Sequence, residues 1–255
     1  MTLDGGSTPL APPGWILRDE MLRSPSLEGR GFVAGFTTRA QGSMAGSVFP
    51  LDEQSRNREA LARRLGFEAV ARVRQVHGNA VARVEGATEP WPQADAMWTE
   101  RAGVLLGVAA ADCVPILVAD PSSGRIGVAH AGWQGTRLRV AQGLVRAMVG
   151  AGSRASGLVA SLGPSIGPCC YAIDASRAEE LRASGQGAHL REGQGGTIVL
   201  DLWSANVAQV RDLGVESIEV AGICTRSGGH DLWSYRGRDA DGRYGTQLGF
   251  IGRPA

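Results

Sequence analysis

The chain has 255 residues, 43% hydrophobic and 20% charged, with a formal net charge of +1. That length can bury a full core, and the near-neutral charge offers no electrostatic basis for binding nucleic acid or an anionic membrane. All 26 basic residues are arginine, so P-loop and Schiff-base chemistries, which need a lysine, are excluded.

Residues 1–14, "MTLDGGSTPLAPPG", lack a basic start and an apolar segment. They read as a flexible N-terminal arm and not as a signal peptide. No later apolar run approaches the ~20 residues that cross a bilayer. "GFVAGFTT" (31–38) reads as a strand with Arg39 just beyond it. Residues 53–66 read as a polar-faced helix closed by Gly66. "VARVRQV" (70–76) and "NAVARVEG" (79–86) are Val-rich strands joined by the turn His77-Gly78-Asn79, so His77 belongs at a strand end.

"ADAMWT" (94–99), "GVLLGVAA" (103–110) and "VPILVAD" (114–120) predict three more strands. Pro115 cannot donate to a ladder, which suggests a strand start or a sheet edge. After the turn "PSSG" comes the strand "RIGVAHA" (125–131). Gly132-Trp133-Gln134-Gly135 then leads into a helix with Thr136 as N-cap. Val140, Leu144, Val145 and Met148 give that helix an apolar stripe.

"GLVASLG" (157–163) is a strand, followed by the irregular "PSIGPCCYAI". Asp174 caps a helix to about Ser184, and the Gly-rich 185–196 reads as a mobile loop. Asp201 opens another helix, with Trp203, Val207 and Val210 on one face and Gly214 after it. "ESIEVAGICT" (216–225) is a strand, and the tail from Ser234 is strand-like with turns. Strands outnumber helices and arrive in succession, which fits a simple alternating Rossmann sheet poorly. The expectation is a mixed α/β fold: one layered domain over 15–255, with mixed β-sheets flanked by helices.

Cys113, Cys169, Cys170 and Cys224 do not form a disulfide framework, which points to a reduced, cytoplasmic protein. "GPSIG" (163–167) matches the nucleophile-elbow pattern, but Pro168 and two cysteines stand where a helix should begin. A Gly/Pro turn is the simpler reading. Cys113, His130 and His77 each lie where a Val-rich strand meets a Gly- or Asp-marked break. Taken singly, each has a structural explanation as a buried thiol or a strand-end histidine. Together they form an N₂S set suited to Zn²⁺ with a fourth position open. The same atoms also suit a metal-free arrangement, with Cys113 as thiolate nucleophile and His130 as its base. His189 and His230 lie in Gly-rich loops that would fix no geometry. For an anion, the Gly132–Thr136 turn, with Gln134 and Gly135, presents helix N–H groups near His130. Arg39, Arg236 and Arg243 flank strand-like segments and suit bidentate phosphate binding, though solvated surface roles explain them equally well.

"RQVHG", "ADCVPIL", "AHAGWQGT", "LGPSIGPCCY" and "CT…SYR…GR" stand in the order and spacing of the laccase-domain family, which the chain resembles from about Gly35 to Ile251. That family also carries the names multicopper polyphenol oxidase, peptidoglycan editing factor and purine nucleoside phosphorylase. The resemblance implies a metal, zinc in preference to copper, held by His77, Cys113 and His130. It implies phosphorolysis of adenosine, inosine, guanosine and methylthioadenosine, and deamination of adenosine. Purine nucleosides and inorganic phosphate are then the partners, with Arg39, Gln134, Gly135, Tyr235, Arg236 and Arg243 at the substrate and Asp112 moving protons. Gln134 and Ala172 replace the arginine and glutamate usual in relatives. "SMAGSVFPLDEQ" and "SYRGR" are further departures. Gln134 and Ala172 keep a catalytically silent binding protein as an alternative, and the same pocket also suits a copper polyphenol oxidase or a metal-free Cys-His hydrolase or deamidase.

Overall fold

The computed structural model describes residues 15–46, 48–87, 89–229, 231–238 and 240–255. The expected N-terminal arm, 1–14, and His230 lie outside the described residues. The fold is mixed α/β, with three sheets and six helices among the described residues.

The first sheet holds β1 (Ile16–Arg18), β2 (Met21–Arg23), β3 (Val33–Phe36), β4 (Val70–Ala71), β7 (Leu105–Ala110) and β15 (Gln247–Gly252), in the order β1-β2-β3-β15-β7-β4. The second holds β5 (Val81–Arg83), β6 (Ala96–Thr99), β8 (Val114–Asp120), β9 (Arg125–Ala131), β10 (Val159–Leu162) and β14 (Ser217–Val220), in the order β14-β10-β8-β9-β6-β5. Each sheet mixes parallel and antiparallel pairs.

The two-residue period of a strand assigns its side chains to layers. On β8, Ile116 and Val118 face a helix-covered core, while Leu117 and Ala119 face the core between the sheets. On β7, Leu106 and Val108 meet that inter-sheet core from the other side, and Leu105 and Ala109 turn outward. Both faces of these strands are covered, which is why they are continuous apolar runs. Helix α2 (Leu51–Leu65) covers the first sheet through Leu61 and Ala62. Helices α4 (Val140–Gly150) and α6 (Leu202–Arg211) cover the second, with the whole Val140, Leu144, Val145, Met148 stripe buried. The molecule is layered helix, sheet, sheet, helix. Gly66 ends α2 with φ 82°, a left-handed conformation that favours glycine.

Three local expectations need correction. Residues 190–192 are not a loop: they form β12 (Leu190–Glu192), which pairs with β13 (Ile198–Leu200) in a small sheet completed by β11 (Ala172–Ile173). A three-pair hairpin with β13, itself anchored on β11 from 25–27 residues away, outweighs the local glycines there. Thr136 is not an N-cap. The short helix α3 (Trp133–Arg137) starts at Gly132, and the Thr136 hydroxyl is buried, accepting from Asn206 Nδ2 at 3.0 Å. Pro115 resolves as a strand start, one of the two placements expected for it, and β8 itself is paired on both sides. The strand-like tail narrows to β15. Asp174 and Asp201 do cap helices as expected, accepting from Arg177 N at 2.8 Å in α5 (Ala175–Ala183) and from Ser204 N at 3.1 Å in α6. The remaining helix is α1 (Pro25–Glu28).

Candidate metal centre and pocket

The hairpin β8–β9 explains why Cys113 meets His130. Its register pairs Val114 with Ala131 and Pro115 with His130, so Cys113, one residue before β8, lies beside Gly132, one residue after β9. His77 arrives from the connection between β4 and β5. The ligand atoms of His77, Cys113 and His130 lie within 4.8 Å of one another. The two imidazoles meet edge-on, with centroids 4.9 Å apart at 80°. Gly132 provides the space: a Cβ there would come within 2.7 Å of the Cys113 sulfur and 3.6 Å of His77.

Asp95, at the mouth of β6, organises the cluster and was missed in the sequence reading. Its fully buried carboxylate accepts the N–H groups of Val76, His77 and Gly78 at 3.1, 3.0 and 2.6 Å. Its Oδ1 also lies 3.0 Å from Nδ1 of His130. Burial works against the carboxylate, but these donors outweigh it and hold its pKa below the ordinary value. His77 itself has φ 61°, a left-handed conformation uncommon outside glycine, and the N–H bonds of Val76, His77 and Gly78 to Asp95 hold it there. With Nδ1 of His130 engaged by a carboxylate, Nε2 is the nitrogen left for a metal, an arrangement common behind metal-bound histidines. The signal existed: "QADAM" before β6 parallels "AADCV" before β8.

Burial pushes the Cys113 thiol up, yet the adjacent His130 and His77 imidazoles outweigh it and bring it down to about 6. Burial likewise pulls His130 down, and the Cys113 thiolate with Asp95 raises it to about 9. An N₂S donor set, a readily formed thiolate, a buried carboxylate behind one imidazole and a space only glycine leaves open all fit a metal ion.

The cluster opens on a cavity of about 650 Å³. Its walls carry Trp91, Trp133, Tyr171, Tyr235 and Tyr244, with Tyr235 and Tyr244 edge-to-face at 5.0 Å. Four arginines line it: Arg72, Arg74, Arg177 and Arg236. Arg236 lies over the Tyr171 ring and donates to Ala172 O at 2.9 Å, while Arg177 lies over Trp133. Arg72 lies over Trp91, 4.5 Å from its centroid, and among the described residues makes no ion pair. Burial lowers its pKa to about 10, so it remains a cation at neutral pH. Arg72, in the alternating Val-Ala-Arg-Val-Arg run, and Arg177, in a polar helix, both read from the sequence as ordinary surface arginines.

Of the residues singled out from the sequence, His77, Cys113, His130, Asp112, Gln134, Tyr235 and Arg236 line this cavity. Gly135 is buried beneath it, where a Cβ would come 3.2 Å from His130 O. Arg39 does not reach it: it lies over Trp233, donates to Leu232 O and lines a neighbouring cavity with Thr225 and Ser227. Arg243 is exposed, its guanidinium 6.0 Å from the Phe49 ring centroid. Asp112, at φ 87°, spends both carboxylate oxygens within the protein, accepting Thr225 Oγ1 and the Arg236 N–H, each at 2.6 Å.

A family model described as multi-copper polyphenol oxidoreductase laccase matches residues 34–254. The chain is 41% identical over 245 residues to a protein of Deinococcus radiodurans named purine nucleoside phosphorylase, covering 92% of this chain and 93% of that one. Its fold matches the crystal structure of YlmD from Geobacillus stearothermophilus with TM-score 0.83 and 32% identity, over 96% of this chain and all of the other. The hypothetical protein YfiH of Bacillus licheniformis matches with TM-score 0.84 and 26% identity, over 93% and 98% of the two chains. Family match, relatives and fold agree with the cluster's geometry: this chain belongs to the multi-copper polyphenol oxidoreductase laccase family.

Proposed function

We propose that the chain is a zinc-dependent enzyme that cleaves purine nucleosides with inorganic phosphate and also deaminates adenosine. The observation that carries this is the N₂S cluster at the base of a cavity walled by aromatic rings and arginines. The naming of relatives as purine nucleoside phosphorylases supports the same reading. Adenosine, inosine, guanosine and methylthioadenosine are the proposed substrates, in a protein working in a reducing cytoplasm where its four free thiols persist.

His77, Cys113 and His130 would hold the zinc, which supplies Lewis-acid polarisation at its open coordination position. Tyr171, Tyr235 and Tyr244 offer faces and edges for a purine ring. Burial, followed by the neighbouring Cys113 thiolate, raises the Tyr171 phenol, so it stays a hydrogen-bond donor. Arg72 is the proposed phosphate partner, because it is a half-buried cation on the cavity wall that makes no salt bridge among the described residues, the Glu89 carboxylate acting on it only through space. In phosphorolysis a phosphate oxygen forms a bond to ribose C1′ as the C1′–N9 bond breaks. The electron pair leaves with the base, and ribose 1-phosphate remains. In deamination, water replaces the C6 amine of adenosine, giving inosine and ammonia. Asp95 holds the proton at Nδ1 of His130. Asp112 acts here as a positioning residue, because its hydrogen bond to the Arg236 N–H fixes the pocket's arginine loop.

Elemental analysis beside an adenosine-plus-phosphate assay tests this reading. About one zinc per chain and phosphate-dependent adenine release are expected, both abolished by Cys113→Ala. Activity that survives metal removal but not Cys113→Ala would instead make Cys113 a nucleophile. Phenol oxidation that depends on copper would favour the oxidase reading.

A further inference from the structure

A second group of soft donors lies apart from the zinc cluster. The sulfur atoms of Cys169, Cys170 and Cys224 are within 4.8 Å of one another, although Cys224 comes from 54 residues further along the chain than Cys170. The Ser165–Cys224 bridge draws the two segments together, with Thr225 N donating to Ser165 O at 3.0 Å. Gly167 N–H donates to the Cys224 sulfur at 3.3 Å. The Cys170 thiol donates to Ser227 Oγ at 3.4 Å, and Cys169 lies 3.5 Å from the same oxygen. Exposure grades outward, from buried Cys224 through half-buried Cys170 to exposed Cys169, so an ion can enter from solvent. None of the three thiols is oxidised, and none takes part in the proposed reaction.

We infer that Cys169, Cys170 and Cys224 form a second metal site, an all-sulfur site for the thiophilic d¹⁰ ion Cu(I). Among the described residues no imidazole or carboxylate joins the group. Thiolate-only donor sets select soft ions, and three donors complete the trigonal shell that Cu(I) accepts. Zinc in a structural site requires a fourth protein ligand. Binding replaces S–H bonds with S–Cu bonds, and the released protons go to solvent. No electron is exchanged. Gly167 N–H and Ser227 Oγ crowd the three sulfurs, so the cluster is held in place by the backbone turn around it. The two metal clusters are joined through adjacent residues: Ile166 N–H donates to Asp112 O beside Cys113, and Gly167 N–H donates to Cys224.

The test is an anaerobic titration with Cu(I), buffered by a chromophoric chelator and with a phosphine keeping the thiols reduced. It uses Cys113→Ala protein so that the first cluster cannot compete. One Cu(I) per chain with an all-sulfur shell by X-ray absorption is expected. Cys169→Ser, an exposed substitution that leaves the fold intact, should weaken binding by at least roughly tenfold, and Cys169→Ser with Cys224→Ser should abolish it. Equal uptake in Cys113→Ala with and without Cys169→Ser would overturn the site. So would nitrogen in the coordination shell, or retention of zinc but not Cu(I) by the three thiols.

Discussion

The Asp95 carboxylate holds His130 through a 3.0 Å contact to Nδ1 while accepting the N–H of His77 at the same distance. One buried side chain therefore fixes two of the three candidate metal ligands, one by its ring and the other by its backbone. Asp95→Asn keeps the shape but places an amide against three backbone donors and one imidazole. Removing such an outer partner usually costs 10–100-fold in metal affinity. Competition against a zinc chelator should show a loss in that range, with a fall in stability of ~1–3 kcal/mol. Unchanged zinc affinity would mean that Asp95 serves only the loop.

Gly132 tests the space around the thiolate. Its φ of −78° and ψ of −173° suit alanine, so the backbone gives no reason for glycine. The added methyl would stand 2.7 Å from the Cys113 sulfur. Gly132→Ala should fold but lose most of its zinc, with a melting temperature that matches metal-stripped wild-type protein. A fully loaded Gly132→Ala protein would show that the sulfur can move aside.

Arg72 and Gln134 make opposite predictions for phosphate. Arg72→Gln removes a pocket cation that makes no salt bridge among the described residues, so KM for phosphate should rise by roughly tenfold or more. Gln134 lines the same cavity, and Gln134→Arg adds a charge near the cluster. It should tighten phosphate about tenfold and favour phosphorolysis over deamination, which uses water. Initial rates at varied phosphate, with zinc content checked in each variant, decide both. If neither substitution changes phosphate dependence, the anion binds elsewhere.

Asp120 gives a stability prediction with a definite pH sign. Its buried carboxylate accepts Ser122 N and Oγ at 3.0 and 2.6 Å and Ser123 Oγ at 2.8 Å, closing the β8–β9 turn. Burial opposes the charge, but these hydroxyl and N–H donors outweigh it, so its folded pKa lies below the ordinary value. A depressed carboxylate stabilises the fold above its unfolded pKa of about 3.9 and loses that contribution as pH falls through the folded pKa. Asp120→Asn should therefore be less stable by ~1–3 kcal/mol at pH 7. The gap should narrow only below about pH 4. A gap that stays constant down to acid unfolding would rule out an ionic origin.

The three metal-capable residues were legible because each interrupts an apolar run, and the strands around them are set by local β-propensity. Asp95 was hidden because one acid before a strand also reads as a turn residue; only the fold reveals that it faces His130. Arg72 and Arg177 were equally hidden, since a shared cavity wall and the stacking of each guanidinium on a tryptophan, Trp91 and Trp133, are three-dimensional facts. Arg39 illustrates the reverse: a cation just past a strand, drawn from the sequence toward phosphate, is instead stacked on Trp233. Residues 190–192 read as a loop because their glycine-rich surroundings weaken every local signal, whereas β13, with which they pair, is itself anchored on β11, up to 27 residues away.

Two of the three cluster residues sit where the chain leaves one large sheet for the other: His77 between β4 and β5, and Cys113 between β7 and β8. An ion held by both, and by His130 at the end of β9, would act as a rivet through the joint between the layers. Sheet-to-sheet cohesion and metal occupancy then become one thermodynamic quantity, because separating the layers tears the coordination apart. Stripping the ion should loosen the inter-sheet core around Leu106, Val108 and Leu117 before it disturbs the helices outside, and the first amides to lose protection from hydrogen exchange should be those at the β4–β5 and β7–β8 crossings.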